Sequence, residues 1–119
     1  MSHNQKIGQY GERLALHYLK KHGFEIIEQN IKISYFEIDI IAIKNGWYYF
    51  IEVKTRLSDY FGTAEEAITA RKINNMKKGA SYYILKNKID ENFVNFDFIA
   101  VDISKKQKIA KIKHYSNVV

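Results

Sequence analysis

The sequence predicts a mixed α/β domain of the α+β kind, with its elements in the order α-β-β-β-α-β-β. Three observations carry that prediction. Apolar residues recur at helical spacing in two stretches, they alternate with polar ones at strand spacing elsewhere, and an Asn-Gly pair joins two of the alternating runs. With 119 residues, 46% of them hydrophobic, the chain suits a single domain, 1–119, that buries its own core.

Residues 5–22 read as the first helix. Ile7, Tyr10, Leu14 and Tyr18, with Ala15 and Leu19 beside them, recur at three- and four-residue steps, and Gly23 supplies the stop. Residues 24–31 form a strand. A hairpin follows over residues 36–56, turning at Asn45-Gly46, because a type I′ turn needs positive φ at both central positions. Thr63-Ala-Glu-Glu66 fits a capping box, which opens a second helix running to about Lys86. That helix would bury Ile68, Met76, Ala80, Tyr83 and Ile84. Residues 93–103 and 108–115 complete the pattern as two strands.

Composition narrows the function classes. The absence of cysteine excludes disulfides and thiolate zinc sites. No apolar run approaches the ~20 residues that span a bilayer, and the N-terminus lacks a signal-peptide core, so a soluble, cytoplasmic protein is expected. The formal net charge is +6. Residues 71–88 hold six Lys/Arg and no acid, and residues 104–119 hold five Lys and no acid. A positive surface around acidic positions suits a protein that binds nucleic acid and acts on it; it also suits a merely well-solvated basic surface.

The hairpin carries the chemistry. With a two-residue turn, facing residues have numbers that sum to 91, so Asp39 faces Glu52 and Glu37 faces Lys54, all on one sheet face. Facing Cβ atoms lie ~4.5–5.5 Å apart. Two carboxylates at that distance repel by roughly 3 kcal/mol at an effective dielectric near 20. A shared proton, nearby cations or a bound Mg²⁺ or Mn²⁺ would relieve the repulsion, and a hard divalent ion would leave positions for water and phosphate. Lys54 would then orient the water or stabilise the phosphate. Two alternatives stay open: cross-strand ion pairs such as Glu37–Lys54, and a three-residue turn that separates the carboxylates.

Glu37-Ile-Asp39 followed by Glu52-Val-Lys54 resembles the motif of the PD-(D/E)xK nuclease superfamily. Gly8-x-x-Gly-Glu12-x-x-Ala15, Asn30, Glu-Ile-Asp-Ile-Ile-Ala, Phe-Ile-Glu-Val-Lys-Thr-Arg56, Phe61-Gly62 and Lys72 together resemble the YraN-like family of small bacterial proteins. Phe96-Asp-Phe-Ile-Ala100 and Lys113-His114 extend the likeness. The resemblance implies a restriction-endonuclease-like core, a mixed central sheet flanked by helices. It implies Asp39 and Glu52 as metal ligands and Lys54 as the catalytic lysine. It adds Glu12 as a further carboxylate, like that of archaeal Holliday-junction resolvases. Phe36 departs from the family's usual glycine, and its bulk would either narrow access to the site or alter the strand's edge.

The expected function is hydrolysis of phosphodiester bonds in DNA, branched recombination or repair intermediates included, by in-line attack of water with Mg²⁺ or Mn²⁺ as cofactor. The alternative is a nucleic-acid-binding module without chemistry. Arg56, Lys72, Lys77 and Lys78 are the candidate phosphate contacts. His17, His22 and His114 show no ligand spacing and receive no role, and Tyr48, Tyr82 and Tyr83 read as core before base-stacking residues. Sequence leaves DNA against RNA open, and a homodimer too, which branched-DNA resolvases need in order to cut two strands.

Overall fold

The first turn of the chain closes on itself. Ser2 Oγ accepts from the Gln5 N–H at 3.1 Å, and the Gln5 side chain accepts from the Ser2 N–H at 2.9 Å. That reciprocal cap starts α1 (His3–Lys21) earlier than its apolar periodicity alone predicts. The computed structural model describes residues 2–57 and 63–118; Phe61-Gly62 of the family pattern lies outside them. After α1 come β1 (Glu25–Ile33), β2 (Phe36–Lys44), β3 (Trp47–Leu57), α2 (Ala70–Lys86), β4 (Val94–Ser104) and β5 (Ile109–Tyr115). The α-β-β-β-α-β-β order is the predicted one.

The five strands form one mixed sheet in the order β1-β2-β3-β4-β5. Every neighbouring pair is antiparallel except β3–β4, which α2 connects as a parallel crossover. The Asn45-Gly46 turn is as predicted, with φ of +52° and +81°. Its ladder runs from Lys44–Trp47 to Ile40–Ile51 in the register that sums to 91. The second helix begins later than predicted. Thr63 makes no side-chain cap, and residues Ala64–Ala67 form a single 3₁₀ turn. Ile68 is then extended, and Thr69 caps α2 by accepting from the Lys72 N–H at 3.2 Å. Ile68 is therefore half-buried ahead of the helix, and Met76, Ala80, Tyr83 and Ile84 form its buried side as expected.

Each helix covers one face of the sheet. Ala15 and Leu19 of α1 pack with Ile40, Ala42, Ile51, Ile99 and Val101. On the opposite face, α2 packs its four buried side chains against Ile38, Ile41 and Phe50. The buried line of α1 runs through Gly11, Ala15 and Leu19, which leaves Tyr10, expected in the core, 46% exposed. Both helices come close through glycine. A Cβ on Gly11 would stand 1.8 Å from Thr55 Oγ1, and one on Gly79 would stand 3.0 Å from Phe36 Cβ. Gly11 thus presses the N-terminal half of α1 onto β3, beside the motif residues.

Candidate functional site

The site lies where β2 and β3 part. Their ladder ends at Ile40–Ile51, one step short of Asp39 and Glu52. The break coincides with an irregularity on the far side of β2. From Glu28–Ile41 to Ile33–Phe36, β1 and β2 keep one register, yet the ladder skips Asn30 and Asp39. Asn30 has φ +49°, in the left-handed region that non-glycine residues other than Asn and Asp seldom visit. Ile38 and Ile41, three residues apart, both pack on the α2 side, so strict alternation fails between them. Asp39 sits at that irregularity. Its Oδ2 reaches across the fork and accepts from the Val53 N–H at 2.8 Å.

This geometry corrects one expectation. Period two put Glu37, Asp39, Glu52 and Lys54 on a single face, with Glu37 opposite Lys54. Because the β2–β3 ladder stops at Ile40–Ile51, Glu37 is not paired with Lys54 across it; it is exposed and lines a cleft with Glu52. Among the described residues no ion pair joins Glu37 to Lys54.

The other motif residues converge. Glu12, Asp39, Lys54 and Arg56 line a cleft of about 370 Å³ between α1 and β3. Glu52 lines a neighbouring cleft with Glu37 and Lys72. Burial pushes the Asp39 carboxyl up to about 7, with the charge of Glu52 as the second cause; the Val53 hydrogen bond opposes them, and Glu12 and Glu37 add to them. Glu52 is raised by burial, while Lys72 and Lys54 hold it down. Glu12 is raised by burial too, and a hydrogen bond with the Asn30 side chain counters this. Glu12 is thus half-buried and tethered. Burial, then Lys72 and Arg56, lower Lys54 from its ordinary value.

Lys77 and Lys78 stand apart. Both are exposed on α2 and line neither cleft. At 3.6 residues per turn they point about 140° and 120° away from Lys72.

The donor set fits a hard divalent cation. All its atoms are carboxylate oxygens, crowded enough that burial and mutual charge disfavour their ionised forms. Among the described residues no three His, Cys, Asp or Glu side chains form a ready-made cage. Mg²⁺ needs less, since one or two carboxylates suffice when waters and substrate phosphates complete the octahedron.

Sequence reasoning missed a second buried polar group. Asp97, fully buried on β4, accepts from His114 Nε2 at 2.7 Å and from the Asn117 N–H at 2.9 Å. A carboxylate only accepts, so neutral His114 carries its proton on Nε2, and Nδ1 accepts from the Tyr18 hydroxyl at 3.0 Å. The available signal was Asp97 itself, a carboxylate in the apolar run Phe96-Asp-Phe-Ile-Ala100.

Fold and site together define a class: a small mixed-sheet domain with a carboxylate-and-lysine cluster at the fork of two strands. Residues 11–101 match the model of the uncharacterised protein family UPF0102. The chain is 42% identical over 114 residues to a UPF0102 protein of Alkaliphilus oremlandii, covering 96% of this chain and 97% of that one. It is 39% identical over 114 residues to a UPF0102 protein of Syntrophomonas wolfei, again covering 96% and 97%. A UPF0102 protein of Clostridium botulinum is 46% identical over 99 residues, covering 82% and 80%. The chain belongs to the UPF0102 family, which is the YraN-like family its motifs resemble.

Proposed function

We propose that the protein is a nuclease of the PD-(D/E)xK superfamily that hydrolyses DNA phosphodiester bonds with Mg²⁺ or Mn²⁺, acting on branched or repair intermediates. The observation that carries this reading is the convergence of Asp39, Glu52 and Lys54 where β2 and β3 separate. Asp39 and Glu52, with Glu12 from α1, would hold the cation. When bound, the cation supplies charge neutralisation of the phosphate and acidification of water.

The chain's own groups do the rest. Asp39 is fixed by the Val53 N–H, and Glu12 by Asn30, so neither carboxylate has to be ordered on binding. Arg56 lines the cleft of Lys54, and Lys72 lines that of Glu52, where they would hold phosphates flanking the scissile one. Lys54, its ammonium already destabilised by burial and two cationic neighbours, orients the attacking water and offsets charge on the phosphate. The water oxygen forms the new P–O bond as the bond to the leaving sugar oxygen breaks, and that oxygen takes up a proton. Cutting both strands of a junction requires two sites, so a dimer is expected on such a substrate.

A binding module without chemistry is the second reading, favoured by the lack of a three-ligand cage among the described residues. Incubation with linear, flapped and four-way DNA in Mg²⁺, Mn²⁺ or EDTA decides between them. The nuclease reading expects cleavage with metal only, and a loss of at least about a hundred-fold in Asp39→Asn. DNA binding with no cleavage of any substrate leaves the module.

A further inference from the structure

We infer that Tyr35 is a base-stacking platform and that the preferred substrate therefore presents an unpaired nucleotide beside the site. This rests on the nucleic-acid reading above and adds which form of nucleic acid fits.

Tyr35 is 93% exposed, whereas the other exposed large hydrophobic side chains range from 37% to 80%. The backbone that carries Tyr35 is set by the turn. Ile33 and Phe36 close the β1–β2 ladder, so Ser34-Tyr35 is a two-residue turn. Ser34 takes φ +56°, a conformation that costs a non-glycine residue energy and that the flanking pairs enforce. Phe36, the next residue, is held against α2 by its close approach to Gly79. A tyrosine on a set backbone turn has only its two side-chain torsions to order when something stacks on it.

Its neighbours say what that something is. Tyr35 lines the same cleft as Glu52, Lys72 and Asn75. Lys72 acts electrostatically on both Glu52 and Lys54, so a phosphate bound there sits beside the reactive groups. A nucleotide anchored by that phosphate can lay its base on Tyr35, with Asn75 within the same cleft to meet a base edge. Within a duplex both faces of a base are already stacked. Only an unpaired or extruded base is free to use the ring, and such stacking tolerates any base. Flaps, single-stranded arms and open junction centres share this property.

The test is binding in EDTA, read by fluorescence anisotropy, so that catalysis plays no part. Wild type, Tyr35→Phe and Tyr35→Ala are titrated with a blunt duplex, the same duplex with a single-stranded arm, and an abasic arm. Tyr35→Ala is expected to lose about ten-fold in affinity for the armed DNA and less than about two-fold for the blunt one. Tyr35→Phe should match wild type. An abasic arm should weaken wild type by the same factor and leave Tyr35→Ala unaffected. Equal losses on armed and blunt DNA, or none, overturn the stacking role while leaving DNA binding intact. Failure of wild type to bind any of the three overturns the nucleic-acid reading itself. Unchanged melting temperatures establish that the variants are folded.

Discussion

Asp97 on β4 and Asp39 on β2 are both carboxylates set within apolar strands, and their surroundings differ in kind. Asp97 receives a donor on each oxygen, an imidazole on one and a backbone N–H on the other. Through His114 and Tyr18 it ties together α1, β4 and β5. Asp39 receives one backbone N–H and stands among the charges of Glu52, Glu12 and Glu37, with Lys54 in the same cleft. The first arrangement is complete as it stands and serves the fold. The second is unbalanced, and its imbalance is what a bound cation would remove. Burial and three carboxylate neighbours disfavour the charged form of Asp39, whereas both Asp97 oxygens are partnered.

The largest stability effect should come from the complete arrangement. Asp97→Ala leaves the His114 Nε2–H and the Asn117 N–H without an acceptor, and is expected to cost about 3 kcal/mol in urea unfolding. Cation affinity, measured by calorimetry, should be unchanged. A stable Asp97→Ala protein would mean that the buried triad holds nothing together.

Asp39→Asn should act in the opposite direction. A folded pKa raised from the ordinary carboxyl value to about 7 means that the native state holds a proton the unfolded chain releases. Stability should therefore fall as pH rises from about 4 to about 7. The amide has no charge to repel and can still accept from the Val53 N–H. Without added cation, Asp39→Asn is expected to gain about 2 kcal/mol over wild type at pH 8, with the difference shrinking toward pH 4. Equal stability at both ends of that range would place Asp39 among the satisfied carboxylates and dissolve the contrast.

A smaller effect concerns the basic side of the cleft. Lys72→Ala should lower the slope of log affinity against log salt by about one for DNA, the value for one lost phosphate contact. Replacing Lys77 and Lys78, which point elsewhere on α2, should change it less. The reverse ranking would move the DNA surface onto the outer side of that helix.

Much of this was legible in the sequence because it is local. The Asn45-Gly46 turn sets the β2–β3 register through two residues, and helical periodicity located the buried side of α2. The start of α2 misled because Thr63 and Glu66 have cap spacing, and only the extended Ile68 between the 3₁₀ turn and Thr69 shows that the helix has yet to begin. The features that could not be read are those made across the sheet. Asp39 sits at a ladder irregularity opposite Asn30 of a neighbouring strand, and the Asp97 triad joins residues 17 and 96 positions apart. Periodicity within one strand carries no trace of either. Tyr35 was overlooked for a different reason, since an aromatic beside a turn looks in sequence like one more core side chain.

Gly11 gives the first helix a second role as a spacer. In a helix interior alanine is favoured over glycine by about 1 kcal/mol, and α1 gives that up where it meets Thr55. Glu12 is the next residue along. A methyl group at position 11 would act as a shim, lifting this end of α1 and carrying the Glu12 carboxylate away from Asp39 and Lys54. The reach of the helix into the cleft is thus calibrated by the smallest side chain available.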